Sequence, residues 1–381
     1  MTQFQLLLIE DTADDVALLQ ARLRSDARFE ITAVDSLHRA FSANSNGCKY
    51  DVIILDLSLP DSCGLDTLTK VQSHFHETPV VILTGLQDEG TAIEALRLGA
   101  HEYLTKNEVD TRAIVRGLLY AIERNERRRV ECRARDYEQV LETAWQIQRT
   151  MLPKSCPVIP GLEIAAAYRP AEVCSGDYYD FIQTPLGHPD ARHWNFAIAD
   201  VAGHGLGPAL IMVGTRRILR TCTAISTDVG HLLELANDAV CEDVDSSHFV
   251  TAFCAQYDPS QRSIVYSGAG HGAWMFRAGQ SPVSWETAGV PLGLVPGFGY
   301  PKGGPVRLET GDVVLMMTDG AYEAMSPSQD EFGLNAVFES VQSDLTRPAQ
   351  QIVNDLLDRI LSHCAPNEPK DDITVVLLKV V

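Results

Sequence analysis

Over roughly the first third of the chain, short apolar runs alternate with amphipathic stretches, and the two spacings predict strand and helix in turn. Residues 4–9, 30–34, 52–55, 80–83 and 102–104 read as five strands. Helical stretches such as 14–24, 64–75 and 90–98 lie between them. Regular alternation of this kind predicts a doubly wound α/β domain with a five-stranded parallel sheet covered on both faces. Residues 111–152 contain no proline and a single glycine, Gly117, which predicts one long helix. Pro153, Pro157 and Pro160-Gly161 stop it. Beyond them the chain is strand-rich (162–168, 194–199, 250–257, 263–267, 313–317 and 373–380), with helices near 207–223, 231–244 and 348–363. That grouping predicts an α+β sandwich of β-sheets flanked by helices. The expected domains are therefore 1–122, a helical linker over 123–152, and 153–381.

Bulk properties narrow the function class. A chain of 381 residues is too long for one ordinary core. Its formal net charge of -20 opposes a general nucleic-acid or anionic-membrane binder. No apolar run approaches the roughly 18 residues a membrane span needs, and the acidic pair Glu10-Asp11 follows the first apolar run, so that run reads as a strand and not a signal peptide. Nine cysteines without a CxxC pair fit free thiols in a reducing cytoplasm. Residues 123–138 mix six arginines with five acids, the pattern of a solvated helix. Val130, Tyr137, Ala144 and Met151 recur every seven residues with Val140 and Ile147 between them, an imperfect heptad seam interrupted by Arg133. The linker is thus expected to pair in a homodimer.

Candidate chemistry falls at two places. In the first domain, Glu10 and Asp11 end the first strand, Asp56 the third and Thr84 the fourth, and Lys106 follows the fifth. A doubly wound sheet brings all of these to one edge, where the acids suit Mg²⁺ and Thr84 and Lys106 suit phosphoryl oxygens. This arrangement resembles the receiver domain of response regulators across residues 1–122. The resemblance implies that Asp56 is the phospho-acceptor, served by a sensor histidine kinase, with Glu10, Asp11, Asp56 and the Ser58 carbonyl around one Mg²⁺. It pairs Thr84 with Tyr103 as the residues that rearrange on phosphorylation and makes Lys106 the phosphoryl contact. Asn107 stands where proline is commoner in that family.

In the rest of the chain, four aspartates sit beside apolar runs and glycines: Asp177, Asp200, Asp319 and Asp371. Clustered carboxylates suit Mg²⁺ or Mn²⁺, and a pair of such ions can activate water against a phosphoryl group. Gly203, Gly205 and Gly207 allow a tight turn after Asp200 into the next helix. Their GxGxG spacing is not the dinucleotide fingerprint. His204 and His271 invite a general-acid role, although histidines beside glycine turns more often make structural hydrogen bonds. Trp145, Ile147 and Met151 read as packing residues that anchor the linker helix.

From about Glu142 onward the motifs resemble the bacterial PPM-type (protein phosphatase 2C-like) serine/threonine phosphatases of the stress-response and sporulation kind. They include Ala144-Trp-Gln-Ile-Gln, Met151-Leu-Pro, Ser175-Gly-Asp-Tyr-Tyr-Asp-Phe, Asp200-Val-Ala-Gly-His-Gly, Gly268-Ala-Gly-His, Thr318-Asp-Gly-Ala-Tyr-Glu-Ala and Asp371-Asp-Ile-Thr. The resemblance implies two metals bridged by Asp200 with help from the Val201 carbonyl, direct binding by Asp319 and Asp371, and Asp177 acting through water. Asp372, facing the other way, would orient the ligand position. The expected protein is a response regulator with phosphatase output, dephosphorylating an anti-sigma-factor antagonist in a partner-switching pathway. A non-catalytic adaptor that sequesters its partner is the alternative, and a nucleotide phosphatase is disfavoured by the acidity and the lack of a P-loop.

Overall fold

The computed structural model describes residues 3–24, 26–45, 49–85, 89–106, 110–184, 192–245 and 247–381. Asn107 lies outside these. The chain divides into two compact units, Met1–Tyr137 and Glu138–Val381.

In the first unit the strands Phe29–Val34, Phe4–Ile9, Val52–Leu55, Val80–Thr84 and Glu102–Thr105 stand side by side in that order, all parallel. Phe4–Ile9 separates the second strand from the third, so the order reverses there, and the crevice of such a sheet opens at the carboxyl ends of these central strands. The strands alternate between two apolar layers. Leu7, Ile9, Ile53, Leu55 and Ile82 pack on one side with Leu68 and Val71 of the helix Leu65–His74. Leu6, Leu8, Val52, Ile54 and Val81 pack on the other with Leu19 and Leu23 of the helix Ala13–Leu23. Ile114, Leu118, Ala121 and Ile122, from the start of the long helix Thr111–Met151, join the second layer.

The second unit is a four-layer sandwich. One antiparallel sheet runs Gly303–Arg307, Ser263–Ala269, Val250–Asp258, Trp194–Val201 and Tyr178–Gln183. The other runs Val283–Trp285, Ala273–Phe276, Val313–Met317, Ile373–Val380 and Leu162–Arg169. Side chains on successive residues of a strand point to opposite faces, and here the period of two is explicit. Val314, Met316, Val376 and Leu378 pack into the inter-sheet core. Val313, Leu315, Val375 and Leu377 face the helices Leu334–Gln342 and Ala349–Cys364. The helices Leu206–Ile225 and Val229–Asp243 cover the outer face of the first sheet through Met212, Leu219, Leu232 and Leu233.

Of the three residues expected to anchor the long helix, Trp145 and Met151 are half-buried. Ile147 is exposed, whereas Gln148 and Leu152 are buried. The helical repeat puts positions four apart on the same side, so 148 and 152 face inward and 147 turns outward. Arg216 on Leu206–Ile225 donates to the Met151 carbonyl at 2.8 Å, holding the helix end. Trp145 lies beneath the Arg149 guanidinium, 5.3 Å from its ring centre.

Candidate active site

The four aspartates reach their positions by different routes. Asp200 is the penultimate residue of Trp194–Val201, and Asp319 opens the 3-10 turn after Val313–Met317. Asp177 and Asp371 instead precede their strands, Tyr178–Gln183 and Ile373–Val380. Strands of both sheets, the edge strand Tyr178–Gln183 among them, therefore deliver carboxylates to one cleft, two at strand C-terminal ends and two ahead of strand starts. After Asp200 the backbone turns through Gly203 and Gly205, with φ of 96° and 88°, before Leu206–Ile225 begins. L-residues with side chains rarely adopt that left-handed region. Gly320 serves close approach: a Cβ there would lie 2.1 Å from the Asp372 carbonyl oxygen, joining the Asp319 turn to the Asp371-Asp372 segment.

Burial and like charge dominate the electrostatics. Burial is the leading influence on the Asp200 carboxyl, pushing it up to about 7, and Asp319, Asp371 and Asp372 push the same way. Asp177, wholly buried, is raised well above the usual carboxylate range by desolvation and by Asp200 and Asp372. Burial and Asp371 raise Asp319 as well. Asp177 also hydrogen-bonds Asp200. Mutually repelling oxygen donors at the rim of a core are a donor set suited to hard divalent cations. Their oxygens do not all crowd one point. Among the described residues, only Glu10, Asp11 and Asp56 bring three carboxylates within 4.8 Å of one another.

A supporting shell of hydrogen bonds was not legible in the sequence. Asp177 accepts from the Thr318 hydroxyl at 2.8 Å and the Thr374 hydroxyl at 2.5 Å. Its own amide donates to Ser175 Oγ at 3.0 Å. Asp372 accepts from the Ala171 and Gly176 amides at 2.8 and 3.0 Å, so it anchors the loop leading into Asp177 in addition to neighbouring Asp371. Gln148, 27 residues earlier on the long helix, pairs with both backbone groups of Ser175: the Ser175 amide donates to its Oε1 at 3.2 Å, and its Nε2 donates to the Ser175 carbonyl at 2.6 Å. Asp180, three residues past Asp177, is buried and held by Arg220 through two hydrogen bonds of 2.5 and 2.8 Å. The Tyr178 hydroxyl donates to it as well, at 2.6 Å. The two histidines stand in different surroundings. His271 is hydrogen-bonded to Thr251 at 3.1 Å and pushed down to about 4 by burial, while the mostly exposed His204 lies 2.9 Å from Glu172.

In the first unit Glu10 and Asp56 are buried and Asp11 is exposed at the same sheet edge. The Ser58 amide donates to Asp56 Oδ1 at 3.2 Å. Lys106 Nζ lies 2.6 Å from Glu10, 2.6 Å from Asp56 and 2.7 Å from Asp15. Asp15, on Ala13–Leu23, was not anticipated. Burial opposes the Lys106 charge, but these three carboxylates outweigh it and hold its pKa above the ordinary lysine value. Burial raises Glu10, with Asp56 adding to the rise and Lys106 opposing it. Thr84 is fully buried at the end of its strand and Tyr103 half-buried on the neighbouring one.

The profile of the family described as Stage II sporulation protein E (SpoIIE) matches residues 190–381, and that of the response regulator receiver domain matches 6–119. The chain belongs to the SpoIIE family of PP2C-type phosphatases. This SpoIIE-family protein is 28% identical over 242 residues to the phosphoserine phosphatase RsbU of Bacillus subtilis, covering 63% of the present chain and 69% of RsbU. The crystal structure of the RsbU and RsbW domains of Rv1364c from Mycobacterium tuberculosis matches with a TM-score of 0.51 and 26% identity, over 60% of this chain and 63% of that one. The SiaA-PP2C domain of Pseudomonas aeruginosa shares the fold, with a TM-score of 0.57 at 18% identity, over 65% of this chain and 98% of that one. The receiver and the phosphatase sandwich expected from the sequence are thus both present. No described helix is long and apolar enough to cross a membrane.

The charge crowding has a consequence for stability. A carboxyl raised in the fold keeps a proton that the unfolded chain releases. Its contribution is therefore complete below about pH 4 and is lost as pH rises toward 7, the folded value of Asp200. In the presence of a chelator, Tm should fall between pH 5 and pH 8, and Asp200→Asn should flatten that fall. Mn²⁺ should raise Tm more at pH 8 than at pH 5. Thermal melts of both proteins check this, and identical slopes would contradict it.

Proposed function

We propose that this chain is a receiver-controlled protein phosphatase that hydrolyses phosphoserine or phosphothreonine on a protein. Asp200, Asp319 and Asp371, with the Val201 carbonyl, would hold two divalent ions, Mg²⁺ or Mn²⁺, and Asp177 would act through water. Bound ions supply an activated water and offset charge on the transferred phosphoryl. The protein's own work is positional: Thr318, Thr374 and Ser175 fix Asp177, and Asp372 fixes the loop before it. The observation that carries the reading is the convergence of buried, mutually repelling carboxylates from both sheets on one cleft. A module that only sequestered a partner would gain nothing from that repulsion.

The likeness to RsbU supports a phosphorylated anti-sigma-factor antagonist as substrate and partner switching as the pathway. The receiver pocket supports Asp56 as phospho-acceptor, with one Mg²⁺ at Glu10, Asp11, Asp56 and the Ser58 carbonyl, and a sensor histidine kinase as donor. Thr84 and Tyr103 would rearrange, and Lys106 would exchange part of its carboxylate shell for phosphoryl oxygens. Val130, Tyr137, Val140 and Ile147 are each more than half exposed on the charge-rich later part of the helix, which supports homodimerisation through that helix in a cytoplasmic protein. Release of inorganic phosphate from a phosphoserine protein, dependent on Mn²⁺ and abolished by chelation, tests the enzymatic reading. Tight binding without release would favour the adaptor.

A further inference from the structure

Beside the carboxylate cleft lies a cavity of about 370 Å³ that the reaction itself does not require. Asp319 forms part of its wall, and Thr251, another wall residue, stands directly opposite Asp200 in the sheet register. The cavity therefore shares the Asp319 wall with the carboxylate cleft and adjoins the Asp200 strand. Its apolar surface comes from Trp274, Tyr322 and Leu334. Trp274, Tyr322 and Leu334 are only partly buried and pack at the edge of the core between the second sheet and its helices. The rings of Trp274 and Tyr322 meet edge-on at 6.5 Å, a rigid corner and not a loose surface. Neither lysine nor arginine lines the cavity, and its charged members, Glu286 and Asp319, are acids.

We propose that this cavity is a specificity subsite that receives a large apolar side chain of the phosphoprotein next to the phosphorylated residue. The inference rests on the phosphatase reading and adds the kind of sequence the enzyme selects. The volume lies near the lower end of that found for ligand pockets, which suits one side chain and not a cofactor. The apolar corner rewards desolvation of an aromatic or aliphatic group, while Glu286 on the far wall disfavours an acidic one. Tyr322 joins the two regions, since its amide donates to the Asp319 carbonyl at 2.9 Å while its ring forms the corner with Trp274.

The test uses full-length protein, Mn²⁺ and synthetic phosphoserine peptides of one polar sequence. Phe, Leu, Ala, Lys or Glu is placed in turn at each position flanking the phosphoserine. The expected result is a preference for Phe or Leu over Ala at one flanking position of roughly tenfold in kcat/KM, as filling an apolar pocket typically gives. That ratio should collapse toward one in both Trp274→Ala and Leu334→Lys. A ratio measured within one enzyme is insensitive to the fraction folded, so a destabilised variant still reports. Equal rates on all peptides, a preference for Lys, or a preference that survives both substitutions would overturn the subsite while leaving the phosphatase reading standing. Failure of wild type to cleave any peptide or p-nitrophenyl phosphate would overturn both.

Discussion

Asp200→Ala lowers kcat/KM for a phosphoserine substrate by roughly 10³-fold or more, the scale on which removal of one preorganised electrostatic group is felt. That is about 4 kcal/mol of transition-state stabilisation. The expectation follows from where Asp200 stands. It is a strand residue in the middle of the carboxylate set, and the charges of Asp319, Asp371 and Asp372 all act on it. Asp177, by contrast, is tied to Thr318 and Thr374, so its substitution should be milder and partly offset by higher Mn²⁺. Because Asp200→Ala relieves repulsion, it should raise the Tm of the chelator-treated protein while removing activity. Loss of activity together with a lowered Tm would mean that the residue holds the fold and not the ions. Steady-state kinetics and melts on the same preparations separate the two.

Gln148→Ala should be the most damaging change outside the carboxylates. Gln148 is 3% exposed and satisfies both the amide and the carbonyl of Ser175, two residues before Asp177. Truncation leaves two buried backbone groups unpaired, each costing about 1–3 kcal/mol. It also frees the loop that sets Asp177, where loss of an outer-shell partner typically costs about 10–100-fold. The expected signature is a fall in kcat that excess Mn²⁺ partly restores, because ion binding can reorder the loop. A lowered Tm with unchanged kcat would make Gln148 a packing residue only. Gln148 belongs to the helix Thr111–Met151, so the contact also fixes the end of that helix against the loop before Asp177.

What the sequence made legible follows from how local each signal is. Parallel strands such as Val52–Leu55 announce themselves as short apolar runs, and the antiparallel strand Val313–Met317 is equally apolar because it is covered on both faces. Tyr178–Gln183 was not anticipated, because it carries a buried aspartate that only a distant arginine, Arg220, makes tolerable. Gly303–Arg307 reads as a turn from its glycines and proline, yet it pairs at the edge of a sheet, where a missing amide donor is tolerated. The principal aspartates were visible because glycines and apolar runs flank them in the chain. Their supports were not: Thr374 lies 197 residues from Asp177, and Gln148 carries no local mark of its role. Asp15 was missed for the same reason, being one polar residue on a helix whose relation to Lys106 exists only in the fold.

The measurement that bears most directly on receiver control is the phosphatase rate with and without a small acyl phosphate, in wild type and in Asp56→Ala, at fixed Mn²⁺ and Mg²⁺. On the proposal that Asp56 is the phospho-acceptor, a phosphoryl group there would compete for Lys106, now paired with Glu10, Asp15 and Asp56, so the account predicts a changed rate in wild type and no response in Asp56→Ala. Equal rates under all four conditions would contradict it.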